Sequence, residues 1–356
     1  MSDSGIVDTA VRSDAASGAP APRKGRRVPR TRSTMRAGDK VFLGFTTGSA
    51  IFIMVILAGV ALFLIVRALP AIAANWQTNS QLHTGPTLAF GSFWVYVAPL
   101  LWGTLWVSAI AIVIGAPVAI GIALFISHYA PRRLAGILGS LVDLLASVPS
   151  VVFGLWGIFV IRPFLKPLGQ FLNQYFGWIP LFSGQPSSTG STILAGAVVL
   201  AVMILPIITS ISREIFLQTP LLHEEAALAL GATRWEMIRL AVLPHARSGM
   251  VSAILLGLGR ALGETMAIAL IISPSLLFSL QILTEGSNPQ TIAANIALNF
   301  PIATSLQRDA LIGTGLILFI VSLAVNIIAR YIVAVTAPGA TRRAFLRRPK
   351  KATLSA

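Results

Sequence analysis

The 356-residue chain contains no cysteine. That excludes a disulfide framework and any thiolate metal site. Charge is also scarce, at 11% of residues against about a quarter in a soluble domain. The four histidines, at positions 83, 128, 223 and 245, are scattered, and no metal-ligand cluster is legible. There is no G-x-x-x-x-G-K-[ST] loop to cradle nucleotide phosphates, no H-E-x-x-H pair and no nucleophile elbow. The chain therefore carries no hydrolytic machinery of its own that a motif reveals.

What fills the space left by charge is apolar: 55% of residues are hydrophobic, with a mean hydropathy of +0.80. Six stretches approach the roughly 20 residues that an α-helix needs to cross a hydrocarbon core. They lie near Gly44–Leu69, Leu101–Ser127, Ile137–Ile161, Thr192–Ser212, Met250–Ser273 and Leu311–Val335. Lipid offers no partner to backbone N–H and C=O groups, so these stretches must be helices. The expected fold is an all-α membrane protein with six transmembrane helices.

The net charge of +15 raises nucleic acid as a partner, but the distribution argues against it. Nine Lys or Arg residues, Arg12 to Lys40, precede the first span, and six, Arg342 to Lys351, follow the last. Arg132 and Arg133 follow span two, and Arg213, Arg234, Arg239 and Arg247 follow span four. The opposite loops hold only Arg162, Lys166 and Arg308, with Arg67 at a helix end. This is the positive-inside pattern, which puts both termini in the cytoplasm. The basic tails then read as topology signals and contacts to anionic lipid, and no nucleic-acid partner is expected.

The chain divides into a disordered basic tail (1–40), a first helix with its external loop (41–90), a five-helix core (91–337) and a second basic tail (338–356). The first apolar run, about 26 residues, exceeds a signal peptide's core, so "AIAA" after Pro70 reads as part of an uncleaved anchor. Pro99 and Pro117 should kink span two or mark its lead-in. Phe164, Leu168, Phe171, Leu172 and Tyr175 suit a short amphipathic helix on the outer surface. "SGQPSSTGS" reads as a flexible connector, and the loop 274–309 as either a docking surface or a solvated linker.

Between spans four and five lies "EEAALALGATRWEMIRL" (224–240), a regular polar stretch in a chain with little charge. Glu224–Leu230 favour a helix, with acids near its positive end. Gly231 permits a left-handed step, and Thr233 with Glu236 forms a T-x-x-E capping box that restarts a helix. Pro244 is expected to end that helix near Leu243. The product is a helical elbow with an apolar side of Ala227, Leu230, Met237, Ile238 and Ala241. Spacing alone leaves it a simple connector as readily as a device.

Three ionisable residues fall well within spans: Asp143, Arg260 and Glu264. Each costs about 2.5–3.5 kcal/mol at a helix centre on insertion scales, so each should face a cavity or a partner. Arg260 and Glu264 are one turn apart on a single face of span five. They form either a neutralising pair, with Asp143 as the other candidate partner of Arg260, or the lining of an anion pathway. An arginine fork suits phosphate oxygens. The three charges sum to −1, so an anion pathway needs further donors from elsewhere. Gly259 and Gly263, four apart in "GLGRALG", suggest close helix approach.

The motif at 225–244 resembles the EAA loop of membrane subunits of ABC importers: Glu225-Ala226-Ala227, Gly231, and Leu243-Pro244, with Ala241 where isoleucine is usual. "GLGRALGETMAIAL" (257–270) and "DLLASVPSVVFGLWG" (143–157) resemble PstC-type phosphate permeases, and 103–127 resembles the common permease core. The resemblance spans roughly 90–335. It implies a type I ABC importer permease fold in the inner cell membrane and a coupling loop at 214–248 gripping a separate ATPase. Glu225, Ala226, Ala227, Gly231, Thr233, Glu236, Leu243 and Pro244 would carry that contact. It implies a phosphate pathway through Arg260, Glu264, Asp143, Ser147, Ser150 and Thr265. The implied partners are a PstA-like permease, two PstB-like ATPases that hold the ATP and Mg, and an external PstS-like phosphate-binding protein. No cofactor or metal is expected on this chain. Transport of sulfate or molybdate, or an ion-coupled carrier using Asp143 and Glu264, are the alternatives. The carrier is disfavoured by the lack of visible paired broken spans. A sensor or scaffold would leave Arg260 and Glu264 unexplained.

Overall fold

The computed structural model describes residues 37–76, 91–273, 275–286 and 288–336. The expected tails, apart from residues 37–40, and the external loop at 77–90 lie outside the described residues. The chain separates at Leu57/Ala58 into two units. In the first, helix begins at Ala37, inside the stretch expected to be disordered, and residues 41–57 are exposed throughout, an apolar surface fit for lipid.

The elements are α1 (Ala37–Ala73), α2 (Phe93–Leu124), α3 (Arg132–Ala146), α4 (Ser150–Trp156), α5 (Arg162–Phe176), α6 (Ile193–Leu217), α7 (Leu221–Ala229), α8 (Arg234–Met237), α9 (Leu243–Leu262), α10 (Met266–Ile271), α11 (Ile292–Asn299) and α12 (Ser305–Thr336). Among the described residues six helical segments are long and apolar enough to cross a membrane, as expected. Two are displaced by more than ten residues from the expected bounds. The third runs from Ser150 to Phe176, and the fifth from Arg234 to Leu262.

Proline governs the third span's shift and the fifth span's start, and Gly263 sets the fifth span's end. Val148 precedes Pro149, which disfavours helix at 148, and the backbone at Pro149 is extended (φ −59°, ψ 139°). The expected span 137–161 is therefore cut at Ser147–Pro149, leaving α3 as a separate amphipathic helix. The surface helix expected over 164–175 is the continuation of span three. Pro163 and Pro244 do not break their helices, because a π-turn precedes each, at 157–161 and 238–242. There the N–H just before the proline reaches back five residues, Arg162 to Gly157 and Leu243 to Ile238. The widened turn removes the clash of the ring with the carbonyl four residues back. Pro244 thus lies inside a continuous helix rather than at its end. Helix α2 likewise continues through Pro99 and Pro117.

In the second unit the central helix is α6, apolar on all faces and the most buried of the six. It packs most extensively on α2, where Gly115 faces Ala201 and Thr209 Oγ1 donates to the Ala119 carbonyl at 3.2 Å. Val107, Ala111, Leu200, Met203 and Ile204 are core residues of this contact. A second cluster holds Trp76, Phe93, Tyr96 and Leu100 against Ile292 and Ala310. Within it Asn295 Nδ2 donates to Tyr96 Oη at 2.6 Å. Arg67 of α1 pairs with Asp309 of α12 at 2.9 Å.

Much of the loop after α10 is packed rather than solvated. Asn288, Gln290, Thr291 and Asn295 are buried, and the chain closes over α2 so tightly that a Cβ on Gly103 would lie 2.5 Å from the Gln290 carbonyl oxygen. Gly103→Ala is expected to destabilise the protein by about 1–3 kcal/mol through overpacking against backbone that cannot give. A lowered midpoint of thermal unfolding in detergent checks this.

The stretch expected to be a flexible connector is also built. Ser187 N–H donates to the Leu283 carbonyl at 2.8 Å, and Glu285 accepts from Thr189 Oγ1 (2.7 Å) and Ser187 Oγ (2.8 Å). The Thr189 and then the Ser187 hydroxyl hold the Glu285 carboxyl below the usual carboxylate range. A depressed folded pKa stabilises above the ordinary glutamate value of about 4.3, and the gain disappears as pH falls through the folded value. Amide protection factors at 187–191 should therefore fall on acidification below that range. Glu285→Gln should raise exchange at neutral pH and flatten the acid dependence.

Candidate functional site

Two interrupted helices meet in the core. The break between α3 and α4 is Ser147–Pro149, and that between α9 and α10 is Gly263–Thr265. A Cβ on Gly154 would lie 3.0 Å from Ala267 Cα, and one on Gly157 2.6 Å from Ile271 Cδ1. These matched steps make α4 and α10 parallel neighbours. Their starts, Ser150 and the Gly263–Thr265 turn, lie level.

A six-residue helix in an apolar setting must have its end groups satisfied. At the start of α10, Glu264 is buried and its Oε1 accepts the Ala267 N–H at 3.1 Å. At the far end Arg162 Nη2 donates to the carbonyls of Leu270 (2.7 Å) and Ile271, and Ser191 Oγ donates to Ile271 at 2.7 Å. Anion at the positive end and cation at the negative end both follow the helix dipole. Arg162, which sequence reads as a loop charge, is thus a cap for α10.

The expected pairing of Arg260 with Glu264 does not form, because they are not on one helix face. Gly263 ends α9, and Glu264 turns to cap α10. Asp143 does not sit inside a span either; it is exposed on α3 and accepts from Ser210 Oγ at 2.9 Å. Among the described residues the ion pairs are Arg67–Asp309 and His128–Glu224, so Arg260 has none, and its Nε is buried without an acceptor. Arg260 instead lines a cavity of about 750 Å³ between α6, α9 and α12. Ser147 caps α3 by donating to Leu144 O at 2.7 Å, and Thr265 Oγ1 donates to Gly263 O at 3.2 Å. Ser150, Thr265 and Glu264 are brought to one level by the paired breaks, whereas Asp143 and Ser147 stand on the exposed α3 side. The glycine contact in this stretch is Gly257 against Ile208; Gly259 borders the cavity, and neither it nor Gly263 meets a second helix.

The elbow forms with modified limits. Helix α7 starts at Leu221 after Pro220, and Gly231 has φ +85°. The Gly231 N–H donates to Leu228 O (3.0 Å) and the Ala232 N–H to Ala227 O (3.2 Å), the paired bonds of a Schellman ending. Thr233 and Glu236 make the full capping box. Met237 and Ile238 are buried with Phe216, Ala123 and Val242, which seats the elbow on the ends of α2 and α6. Leu230, expected on that apolar side, is 90% exposed. With Leu221, Leu222, Trp235 and Leu240 it forms an uncovered apolar surface. Glu225, Ala226, Gly231, Thr233 and Glu236 are exposed beside it, while Ala227, Leu243 and Pro244 are half-buried. His128, at the end of span two, lies 3.5 Å from Glu224 and bonds Ser127 Oγ through Nδ1 at 2.7 Å. No local pattern in the sequence marks that contact.

Residues 115–342 match the family described as binding-protein-dependent transport system inner membrane component. The phosphate transport system permease protein PstC 2 of Mycobacterium bovis is 47% identical over 307 residues, 83% of this chain and 92% of its own. PstC of Mycobacterium leprae is 45% identical over 280 residues, 76% and 86% of the two chains. The chain belongs to the PstC permease family. In fold it is similar to a bacterial alginate ABC transporter solved with a pentasaccharide-bound periplasmic protein: TM-score 0.56, 16% identity, 83% of this chain and 94% of the other. The fold is therefore that of a type I ABC importer permease, and the chain is a multi-pass membrane protein of that class. Paired broken helices, which the sequence conceals, occur here in a permease. Their apparent absence from the sequence was therefore no argument against an ion-coupled carrier.

Proposed function

We propose that this chain is the permease subunit that moves inorganic phosphate across the inner membrane, driven by ATP hydrolysis on a separate subunit. The carrying observation is Arg260, a guanidinium at the border of a cavity with no carboxylate partner. Bare charge in a membrane protein is costly, and an oxyanion in transit satisfies it. Arg260 receives the anion, while Glu264, occupied in holding α10, sets the backbone turn beside it. Ser150 and Thr265, level at the two breaks, supply hydroxyl donors. Phosphate rather than sulfate or molybdate is favoured by the relatives' names.

The exposed elbow fits a groove of a PstB-like ATPase, whose dimer holds the ATP and Mg; this chain itself binds neither. A PstA-like permease completes the pathway and a PstS-like protein delivers phosphate to the outer mouth. The elbow and both termini face the cytoplasm, as the basic residues around them favour. Closure of the ATPases moves the elbow, and the spans alternate between outward- and inward-open states. Phosphate uptake into cells or vesicles should collapse on ATP depletion and survive dissipation of the proton gradient. The opposite result would make the transporter ion-coupled.

A further inference from the structure

The cavity that contains Arg260 holds a second guanidinium, Arg330 of α12. Sequence reasoning passes over it, because an arginine near the end of an apolar run reads as a side chain reaching for the membrane surface. Its position is more specific. Arg330 shares the cavity wall with Asn326 on its own helix and with Ser252 and Arg260 on α9, and no acidic residue lines that wall. Neither arginine forms an ion pair among the described residues. The remaining lining is apolar, Leu255, Leu256 and Val333 among it, so no other side chain compensates the two charges.

Helices α9 and α12 belong to consecutive crossings and run in opposite directions. Arg260 stands in the last turn of α9, remote from the elbow, whereas Arg330 stands six residues before the end of α12, toward the elbow side. Two like charges staggered along one cavity, with the Asn326 amide in the same lining, form a two-step anion ladder. We propose that Arg330, with Asn326, forms a second binding subsite for a tetrahedral phosphate group, on the elbow side of Arg260. The inference rests on the phosphate reading above and adds a second cation to the cavity that Arg260 lines. The same chemistry could be met by free phosphate in transit or by the phosphate of an anionic lipid headgroup, and the test separates the two.

Because the chain lacks cysteine, Ser252→Cys places a single thiol of this chain in the cavity. The variant is assembled with its partner subunits in nanodiscs of phosphatidylcholine alone or with phosphatidylglycerol. Its modification by a small methanethiosulfonate is followed on the band of this chain. Protection by millimolar inorganic phosphate in phosphatidylcholine assigns the subsite to transported anion. Protection by phosphatidylglycerol without added phosphate assigns it to lipid. In either case Arg330→Gln should weaken the apparent affinity of protection roughly tenfold or more, with Arg330→Lys between the two. No protection by either source, or protection indifferent to Arg330→Gln in an assembled complex, overturns the proposal. Uptake measured on Arg260→Gln keeps the readings distinct. Normal uptake there with Arg330-dependent protection removes the pathway role of Arg260 and leaves the subsite standing. Lost uptake there without any protection does the reverse.

Discussion

In a Gly231→Pro variant, phosphate uptake falls at least about tenfold while ATP hydrolysis by the partner subunit continues. The expectation comes from backbone geometry alone. Gly231 has φ +85°, and a side chain placed there would meet nothing within 4 Å, so no steric clash confuses the result. Proline fixes φ near −65° and removes the N–H that reaches Leu228 O at 3.0 Å. Both bonds of the helix ending are then lost, and α7 cannot turn into the capping box at Thr233 and Glu236. An alanine at 231 costs about 1–2 kcal/mol for the left-handed conformation and should leave a weakened elbow. Asparagine, which tolerates that region better, should retain most uptake. Uptake measured against ATP hydrolysis across Pro, Ala and Asn should rank in that order. Equal coupling in all three would show that the bend transmits nothing.

The proposed coupling can reach Arg260 because the elbow's second arm is one continuous helix. From Arg234 to Leu262 that helix is unbroken, carried past Pro244 by the π-turn at 238–242. At about 1.5 Å per residue, the 26 residues from Arg234 to Arg260 reach about 39 Å. The capping box thus lies at one end of a single rod, and Arg260 lies at its other end. A helix ending at Leu243 would have needed a joint there, and a joint dissipates displacement. The buried seat of Met237 and Ile238 on Phe216 and Ala123, together with the contact of His128 with Glu224, fastens the driven end also to spans two and four.

The elbow was legible in the sequence because its determinants are local. A positive-φ glycine, a capping box and a run of helix formers act within a few residues. The number of spans was legible because hydropathy is additive along the chain. The breaks were not, since an apolar run such as 137–161 has the same hydropathy whether or not Val148 is helical. The proline at 149 signals a break, yet Pro163 and Pro244, equally visible, are absorbed by π-turns that no composition announces. The partners of Glu264, Arg162 and Glu285 were hidden for another reason. Arg162 reaches carbonyls of residues 270 and 271, and Glu285 reaches hydroxyls of 187 and 189, so the pairing depends on tertiary approach and not on spacing. Periodicity placed Arg260 and Glu264 on one face because it assumed a helix through Gly263.

The removal of that assumed pair sharpens the last expectation. If Glu264 neutralised Arg260, then Arg260→Gln would strand a buried carboxylate and weaken the fold. With Glu264 committed to the Ala267 N–H and Asp143 to Ser210, Arg260→Gln instead removes an uncompensated charge. Assembly should persist, with thermal stability unchanged or raised, because an uncompensated charge within an apolar span is gone. Uptake should nevertheless fall at least about 100-fold, since charge-assisted hydrogen bonds to an oxyanion contribute about 1.5–3 kcal/mol each and the fork makes two. Arg260→Lys keeps the charge and loses the bidentate geometry, so an intermediate loss of roughly tenfold is expected. Radiolabelled phosphate uptake and the unfolding midpoint of the purified complex, measured on the same three proteins, decide the matter. Opposite movement of activity and stability is the signature of a charge kept for the anion. A parallel fall of both would assign Arg260 to the fold, and unchanged uptake would take it off the path.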